Sequence, residues 1–388
     1  MSRLNVGNLF NENEDGAPVV SGISTFSSPH YFVPPSGSTA QRPQNPGEGM
    51  IRFNTDSGHL EYYTGTHWAD VITNNNELGD QNNTNSSGGT GTRAFFAGGQ
   101  TPSNSDVIDF ITIATLGDAQ DFGNLTEAKQ RTAACASNVT GIIAGGYTTG
   151  FENKVERITF ASTGNGVDTG GNLTASRNRL SSCSNQTRGL FLGGNPGSAG
   201  TDTIDYITIS SAATVVDFGN LTTGRQGCRA VASAIRGACA GGISGPSPYT
   251  YQNIIDYVTI SSTGDAQDFG DLSRNSSMEM ASASNSTRGI FAGGYNPSPT
   301  LTYYNAIDFI TTATTGNSQD FGDLTVARAD FDGTSSPTRA IFAGGKTPSL
   351  VDTIDYVEIS STGNAVDFGN LSVTRRANSS SSNGHGGL

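Results

Sequence analysis

Long apolar runs, tryptophan and positive charge are what this 388-residue sequence has least of. With no apolar run of 18 residues, a membrane-spanning helix is not expected, and membrane insertion with it. The opening MSRLNVGNLFNENEDG lacks the apolar core of a secretory signal peptide. Charged residues make up only 14%, and 21 Lys and Arg face 34 Asp and Glu, for a formal charge of −13. Without a Lys/Arg cluster, such a chain repels polyanions, so a nucleic-acid partner is not expected. The four cysteines (Cys135, Cys183, Cys228, Cys239) match no zinc spacing, and the only histidine beyond residue 67 is His385. They read as small buried free thiols of a chain made in a reducing cytosol. No metal or other cofactor is expected. Sustained 3.6-residue apolar periodicity is also absent, which argues against helices.

What is abundant is glycine, 51 residues, together with Ser, Thr and Asn. That is the composition of short strands joined by many turns. One motif invites a catalytic reading: Asp268-Phe269-Gly270, the triplet that holds magnesium in protein kinases. It recurs at Asp121, Asp217, Asp320 and Asp367, with a degraded copy, Asp168-Thr169-Gly170, and it has no kinase companions. Repetition makes it part of a structural framework.

Gly-Gly pairs at 98, 145, 193, 241, 293 and 344 set a period of 47 to 52 residues. Each repeat holds four β-like runs: an apolar run ending in Gly-Gly, an alternating run such as Ile204-Asp205-Tyr206-Ile207, the Asp-Phe-Gly run, and a small polar run such as SSCSN. An acid in the second run (Asp109, Glu156, Asp205, Asp256, Asp308, Asp355) precedes the third-run Asp by 12 residues in all six repeats. Four strands per repeat of this length indicate a β-propeller blade. The array begins at Arg93 without its small polar run, and Arg375–Asn383 supplies one, so the last strand is expected to complete the first blade. In the triplet, Phe reads as a wedge between blades, Asp as a turn residue accepting backbone N–H groups, and Gly as a turn or bulge. A calcium site in these loops is the rival reading, with few oxygens to support it.

Length variation concentrates between Gly-Gly and the acid, and the fourth and fifth repeats carry the long loops, ISGPSPYTYQN and YNPSPTLTYYN. Their tyrosines, Tyr249, Tyr251, Tyr295, Tyr303 and Tyr304, form the candidate binding patch. A cation precedes each small polar run: Lys129 or Arg131, then Arg177, Arg225, Arg274, Arg328 and Arg375. These cations would either ring a channel mouth or pair with carboxylates of neighbouring blades.

The Gly-Gly strand, strand order and terminal splice over about 93–388 resemble kelch-type propellers, although the kelch tryptophan is missing. Residues 49–72, GMIRFNTDSGHLEYYTGTHWADVI, alternate as strands at Met50–Asn54 and His59–Tyr63 about a Thr-Asp-Ser-Gly turn, with a third at Trp68. This stretch resembles a small module of tail-fibre and other virion proteins of tailed bacteriophages. The preceding SGISTFSSPHYFVPPSGSTAQRPQNPGEG and the repeats of the form IDYITISSTGNAxDFGNLT are similar to virion proteins of cyanophages.

The expected fold is therefore all-β: an attachment module with short strands over 1–73, a flexible polar linker over 74–92, and a six-bladed kelch-like β-propeller over 93–388. The resemblance implies a virion protein, assembled in the host cytoplasm. As a tail fibre or adhesin, it would anchor through its N-terminal module to other tail, baseplate or capsid proteins. It would recognise a host-surface glycan or protein, a polysaccharide first of all, and would be a homo-oligomer, by analogy a trimer. The alternative is a capsid or tail decoration protein whose propeller meets other virion proteins. An enzyme is not expected: no triad, metal cluster, phosphate loop or sialidase-type Asp box is present.

Overall fold

The computed structural model describes residues 34–57, 59–70, 92–197, 199–274, 278–297 and 300–388. The chain divides into two compact units, Met1–Asn76 and Glu77–Leu388. The linker expected over 74–92 lies outside the described residues except for Thr92, as does the attachment module before residue 34. The fold is all-β, with one short 3₁₀ turn at Thr39–Gln41 and no α-helix among the described residues. No helix there is long and apolar enough to cross a membrane.

The first unit is one small sheet. Ile51–Asn54 pairs with Ser36–Gly37 in parallel and with His59–Tyr63 antiparallel, and Trp68–Asp70 completes it. Its alternation is inverted. Arg52, Asn54 and Glu61 are buried, while Met50, Ile51, Phe53 and Tyr62 are exposed. Glu61 explains the buried side: Arg42 and Arg52 pair with it, Asn54 donates to it, and both guanidinium groups lie about 6 Å from the Trp68 ring. A buried carboxylate bridging two arginines thus occupies the place of an apolar core.

The second unit contains six four-stranded antiparallel sheets, one per repeat. In the third, Ser181–Ser184, Arg188–Leu192, Thr203–Thr208 and Val215–Asn220 lie side by side in chain order. The first sheet is completed from the far end of the sequence: Ser379–Ser382 pairs with Arg93–Ala97, aligning Ser379 with Ala97 and Ser382 with Ala94. Each short polar strand lies against those of the two adjacent sheets, and the order of neighbours returns to its start. Small side chains permit this approach, and serine hydroxyls stitch it. Ser184 Oγ donates to Ala136 O, Ser284 Oγ to Ala232 O and Ser382 Oγ to Ser335 O.

Among the described residues the apolar core is divided. Six apolar clusters each lie between two consecutive sheets. One joins Phe95, Ile108 and Phe122 of the first sheet to Ile143 and Phe160 of the second, and another joins Ile341, Ile354 and Phe368 of the sixth to Phe96 and Ile111 of the first. Both faces of the Gly-Gly strands are therefore covered, which explains their unbroken apolar runs.

The Asp-Phe-Gly triplets lie in the outermost strands. Their Phe side chains are buried between sheets, each edge-on to an aromatic of the third strand, as Phe218 is to Tyr206 at 6.0 Å. The Gly has a structural cause. At Gly123, φ is +146°, and a Cβ would sit 2.5 Å from the Gly164 carbonyl of the next sheet. The Asp expectation is corrected for five copies: Asp121, Asp217, Asp268, Asp320 and Asp367 are exposed strand residues facing the second-run acids and accept no backbone turn bond among the described residues, whereas Asp168 of the degraded copy accepts from Gly170 N–H at 2.8 Å.

Candidate binding face

The cations that precede the polar strands do not ring a mouth. Arg177, Arg225, Arg328 and Arg375 are fully buried and pair with Asp205, Asp256, Asp355 and Asp109 at 2.6 to 3.1 Å. Lys129 pairs with Glu156 in the same way. Arg274 sits two positions earlier in its repeat and still reaches Asp308 at 3.3 Å. Each acid also accepts from the Ser or Thr that follows the repeat's Leu, as Asp205 does from Thr174 Oγ1 at 2.7 Å. The segment entering each sheet is thereby clasped to that sheet, and the acid column is spent on structure.

Two residues beyond Lys129, Arg177, Arg225, Arg328 and Arg375, and five beyond Arg274, lies a further position shared by all six repeats. Arg131, Arg179, Gly227, Glu279, Asp330 and Ala377 all have left-handed backbones, with φ between +52° and +67°. The N–H of each donates to the carbonyl of the preceding one: Arg179 to Arg131, Gly227 to Arg179, Glu279 to Gly227, Asp330 to Glu279, Ala377 to Asp330, and Arg131 back to Ala377, at 2.6 to 3.1 Å. Six peptide groups thus form a closed hydrogen-bonded cycle at the start of the six polar strands. Beneath it lies a cavity of about 60 Å³, lined by Ala134, Ser182, Ala230, Ser282, Thr334 and Ser380. At the far ends of those strands His385 Nε2 meets Ala136 O at 2.9 Å and Ser184 Oγ at 3.0 Å. Burial pushes that imidazole down to about 4, so it is neutral near pH 7.

Above the cycle the side chains are charged. Arg179 Nε lies 3.1 Å from Glu279 Oε1, an ion pair without hydrogen-bond alignment. Arg376 donates to Asp330 at 3.1 Å and to Gln100 at 2.9 Å, and Arg229 sits 3.6 Å from Asp332. Burial, then the neighbouring Glu279, raises Asp330 to about 6. Burial opposes charge on Glu279 too, but Arg179, Arg131 and Arg229 outweigh it and hold that carboxyl below its ordinary value.

The long tyrosine loops reach this cluster. The residue before each cycle position bridges to the residue after each Gly-Gly, so Met278 pairs with Tyr295 and places Glu279 beside the fifth loop. Tyr295 and Tyr303 pack at 6.2 Å between centroids. Burial, with Glu279 contributing, raises the phenols of Tyr251, Tyr295 and Tyr303; Tyr249 is exposed beside Tyr251 and Arg179. Four of the five expected tyrosines therefore gather with the charged cycle. Tyr304 is held apart under Arg274, at 5.4 Å. Sequence reasoning missed the cycle because no shared residue type marks it. The available signal was charge standing where another repeat has glycine.

A further column escaped it as well. Arg93, Arg188, Arg236, Arg288 and Arg339 open the Gly-Gly strands and donate to carbonyls of the next sheet, such as Arg188 to Ile260 O at 3.1 Å. Among the described residues no group of three or more His, Cys, Asp or Glu is placed to hold a metal ion. Comparison with protein-family models and with curated proteins finds no match.

Asp330 yields a pH prediction. Its folded value of about 6 exceeds the ordinary 3.8, so between those limits the folded chain keeps a proton that the unfolded chain has lost. Stability from this group is present below 3.8 and is lost as pH rises through 6. Melting curves from pH 4 to 7 should show Asp330→Asn flattening that decline, by on the order of 3 kcal/mol. An unchanged pH profile in the variant would remove Asp330 from the account.

Proposed function

We propose that the six sheets are the blades of a six-bladed, kelch-like β-propeller, and that the chain is a tail-fibre adhesin of a tailed bacteriophage. Its N-terminal module anchors on the virion and its propeller meets a host-surface polysaccharide. The blade reading is supported by six intersheet apolar clusters, the six-membered hydrogen-bond cycle and the first sheet completed by Ser379–Ser382. The anchoring reading is supported by the apolar outer face of the first unit, where Met50, Ile51, Phe53 and Tyr62 stand exposed among the described residues. That face suits contact with virion proteins or with further copies in a homo-oligomer, by analogy a trimer.

The observation that carries the binding reading is the gathering of Tyr249, Tyr251, Tyr295 and Tyr303 with the charged cycle. Aromatic faces stack on the C–H face of a sugar, and fixed carboxylates and guanidinium groups bond its hydroxyls. The cavity below, about 60 Å³, is far smaller than the roughly 300–1,000 Å³ typical of small-molecule pockets. Ligand therefore engages from the surface, as a polymer does, and several copies per particle multiply modest affinity.

The test is binding of the labelled full chain to intact bacterial host cells. Replacing Tyr249, Tyr251 and Tyr303 together by Ala should weaken binding about hundredfold, at about 1 kcal/mol per stacked ring. Tyr304→Ala should leave it unchanged. If wild-type chain ignores cells yet still attaches to virions, the receptor role fails and a decoration role replaces it.

A further inference from the structure

We infer that the charged cycle recognises the carboxylate of a uronic acid residue, with Arg131 as the anchoring cation. This rests on the glycan reading above and narrows it to acidic polysaccharides.

The first argument is a matching of charges. Four cations line the cluster, Arg131, Arg179, Arg229 and Arg376, against three carboxylates, Glu279, Asp330 and Asp332. Arg179 takes Glu279, Arg376 takes Asp330 and Arg229 takes Asp332. Arg131 makes no close ion pair among the described residues, although its charge acts on Glu279 and Asp330 across the cluster, and its Nε is buried without a hydrogen bond. It shares one cavity wall with Arg179, Glu279 and Asp330. A chain of net charge −13 thus carries a local surplus of one positive charge at the cycle, whose Arg179 and Glu279 the tyrosine loops reach. Acids elsewhere on the surface are screened beyond about 8 Å at physiological ionic strength, so the local surplus decides what is attracted.

The second argument is conformational. The cycle needs left-handed backbone, which glycine adopts freely and arginine does not. Gly227 shows that glycine serves at this position. Arg131 therefore holds its place against a backbone cost that the cycle itself does not require. A planar guanidinium matches a planar carboxylate through two parallel hydrogen bonds, a fit that an ammonium or hydroxyl lacks. Tyr251 and Tyr303 then supply stacking surface for the ring that carries the carboxylate.

The experiment titrates the full-length protein with methyl glucuronide and methyl galacturonide, and with the neutral methyl glucoside and galactoside, read by ligand-observed NMR. Wild type should prefer a uronide by about tenfold or more, the effect of one charge-assisted pair. Arg131→Gly should bring uronide and neutral sugar to equal affinity. Arg131→Lys should keep only part of the preference, and it reads the same effect if the glycine variant does not fold. Equal wild-type affinity for acidic and neutral sugars, or a preference that survives in Arg131→Gly, overturns the carboxylate assignment and leaves the glycan reading standing. Binding of neither kind of sugar overturns the assignment, and if the chain still adheres to host cells it transfers their recognition to a protein receptor.

Discussion

Removing Ser379–Leu388 is expected to abolish folding of the six-sheet unit. Without Ser379–Ser382 the first sheet keeps three strands, and Arg93–Ala97 becomes an open edge. Phe95 and Phe96 on that edge, both fully buried, would lose cover; each contributes about 1.5–3 kcal/mol by burial. The loss spreads further, because Ser382 Oγ bonds Ser335 O at 2.5 Å and Ser379 Oγ bonds Thr132 at 2.8 Å, tying the sixth and second sheets to the first. Soluble yield, size-exclusion profile and circular dichroism report the outcome, with aggregation as the expected result. A milder truncation after Asn383 removes His385 but keeps the strand, and should fold with a reduced melting temperature. A monomeric, wild-type-like melt from the longer truncation would show that the last strand is dispensable and would sink the closure argument.

The second large effect is expected at the same seam. Arg375 is fully buried. It donates to Asp109 at 2.8 Å, to Phe96 O at 3.0 Å and to Val107 O at 3.0 Å, while Asp109 accepts from Ser372 Oγ at 2.7 Å. Arg375→Ala leaves a carboxylate buried with only a serine beside it, at a cost of about 3–5 kcal/mol. For a unit of this size that corresponds to a fall in melting temperature of roughly 10 °C. Replacing both partners, Arg375→Met with Asp109→Leu, should recover most of the loss, because the expense lies in the unpaired charge. Calorimetry of the two single variants and the double variant measures this. If Arg375→Ala melts within 2 °C of wild type, the clasp contributes nothing to stability.

Some of this organisation was legible in the residues. The four strands per repeat, the splice of the last strand onto Arg93–Ala97 and the buried Phe of Asp-Phe-Gly all follow from apolar periodicity, which local sequence records. The column of cations could be seen but not assigned, since one pattern fits both an exposed ring and a set of pairs with carboxylates, five of them buried. Only burial separates the two, and burial depends on what the neighbouring sheet brings. Arg274 makes the point sharply: displaced from its column, it still finds Asp308, because a long side chain can reach one acid from more than one starting point. The alternation of the first unit did not say which face is inside: Ile51, Phe53 and Tyr62 are exposed, and Glu61 with its two arginines occupies the inside.

By itself the sequence determined the all-β class, the repeat, the strand order within each sheet and the loops that carry tyrosine. Apart from the splice of Ser379–Ser382 onto Arg93–Ala97, these depend on contacts between residues near one another in the chain, where periodicity and turn chemistry act. The cycle of left-handed residues, the placing of Arg131 within it and the meeting of two tyrosine loops beside Glu279 and Asp330 were decided by tertiary structure alone. Each brings together residues roughly 50 or more positions apart, and backbone hydrogen bonds place them whatever their side chains, so nothing in local composition announces them.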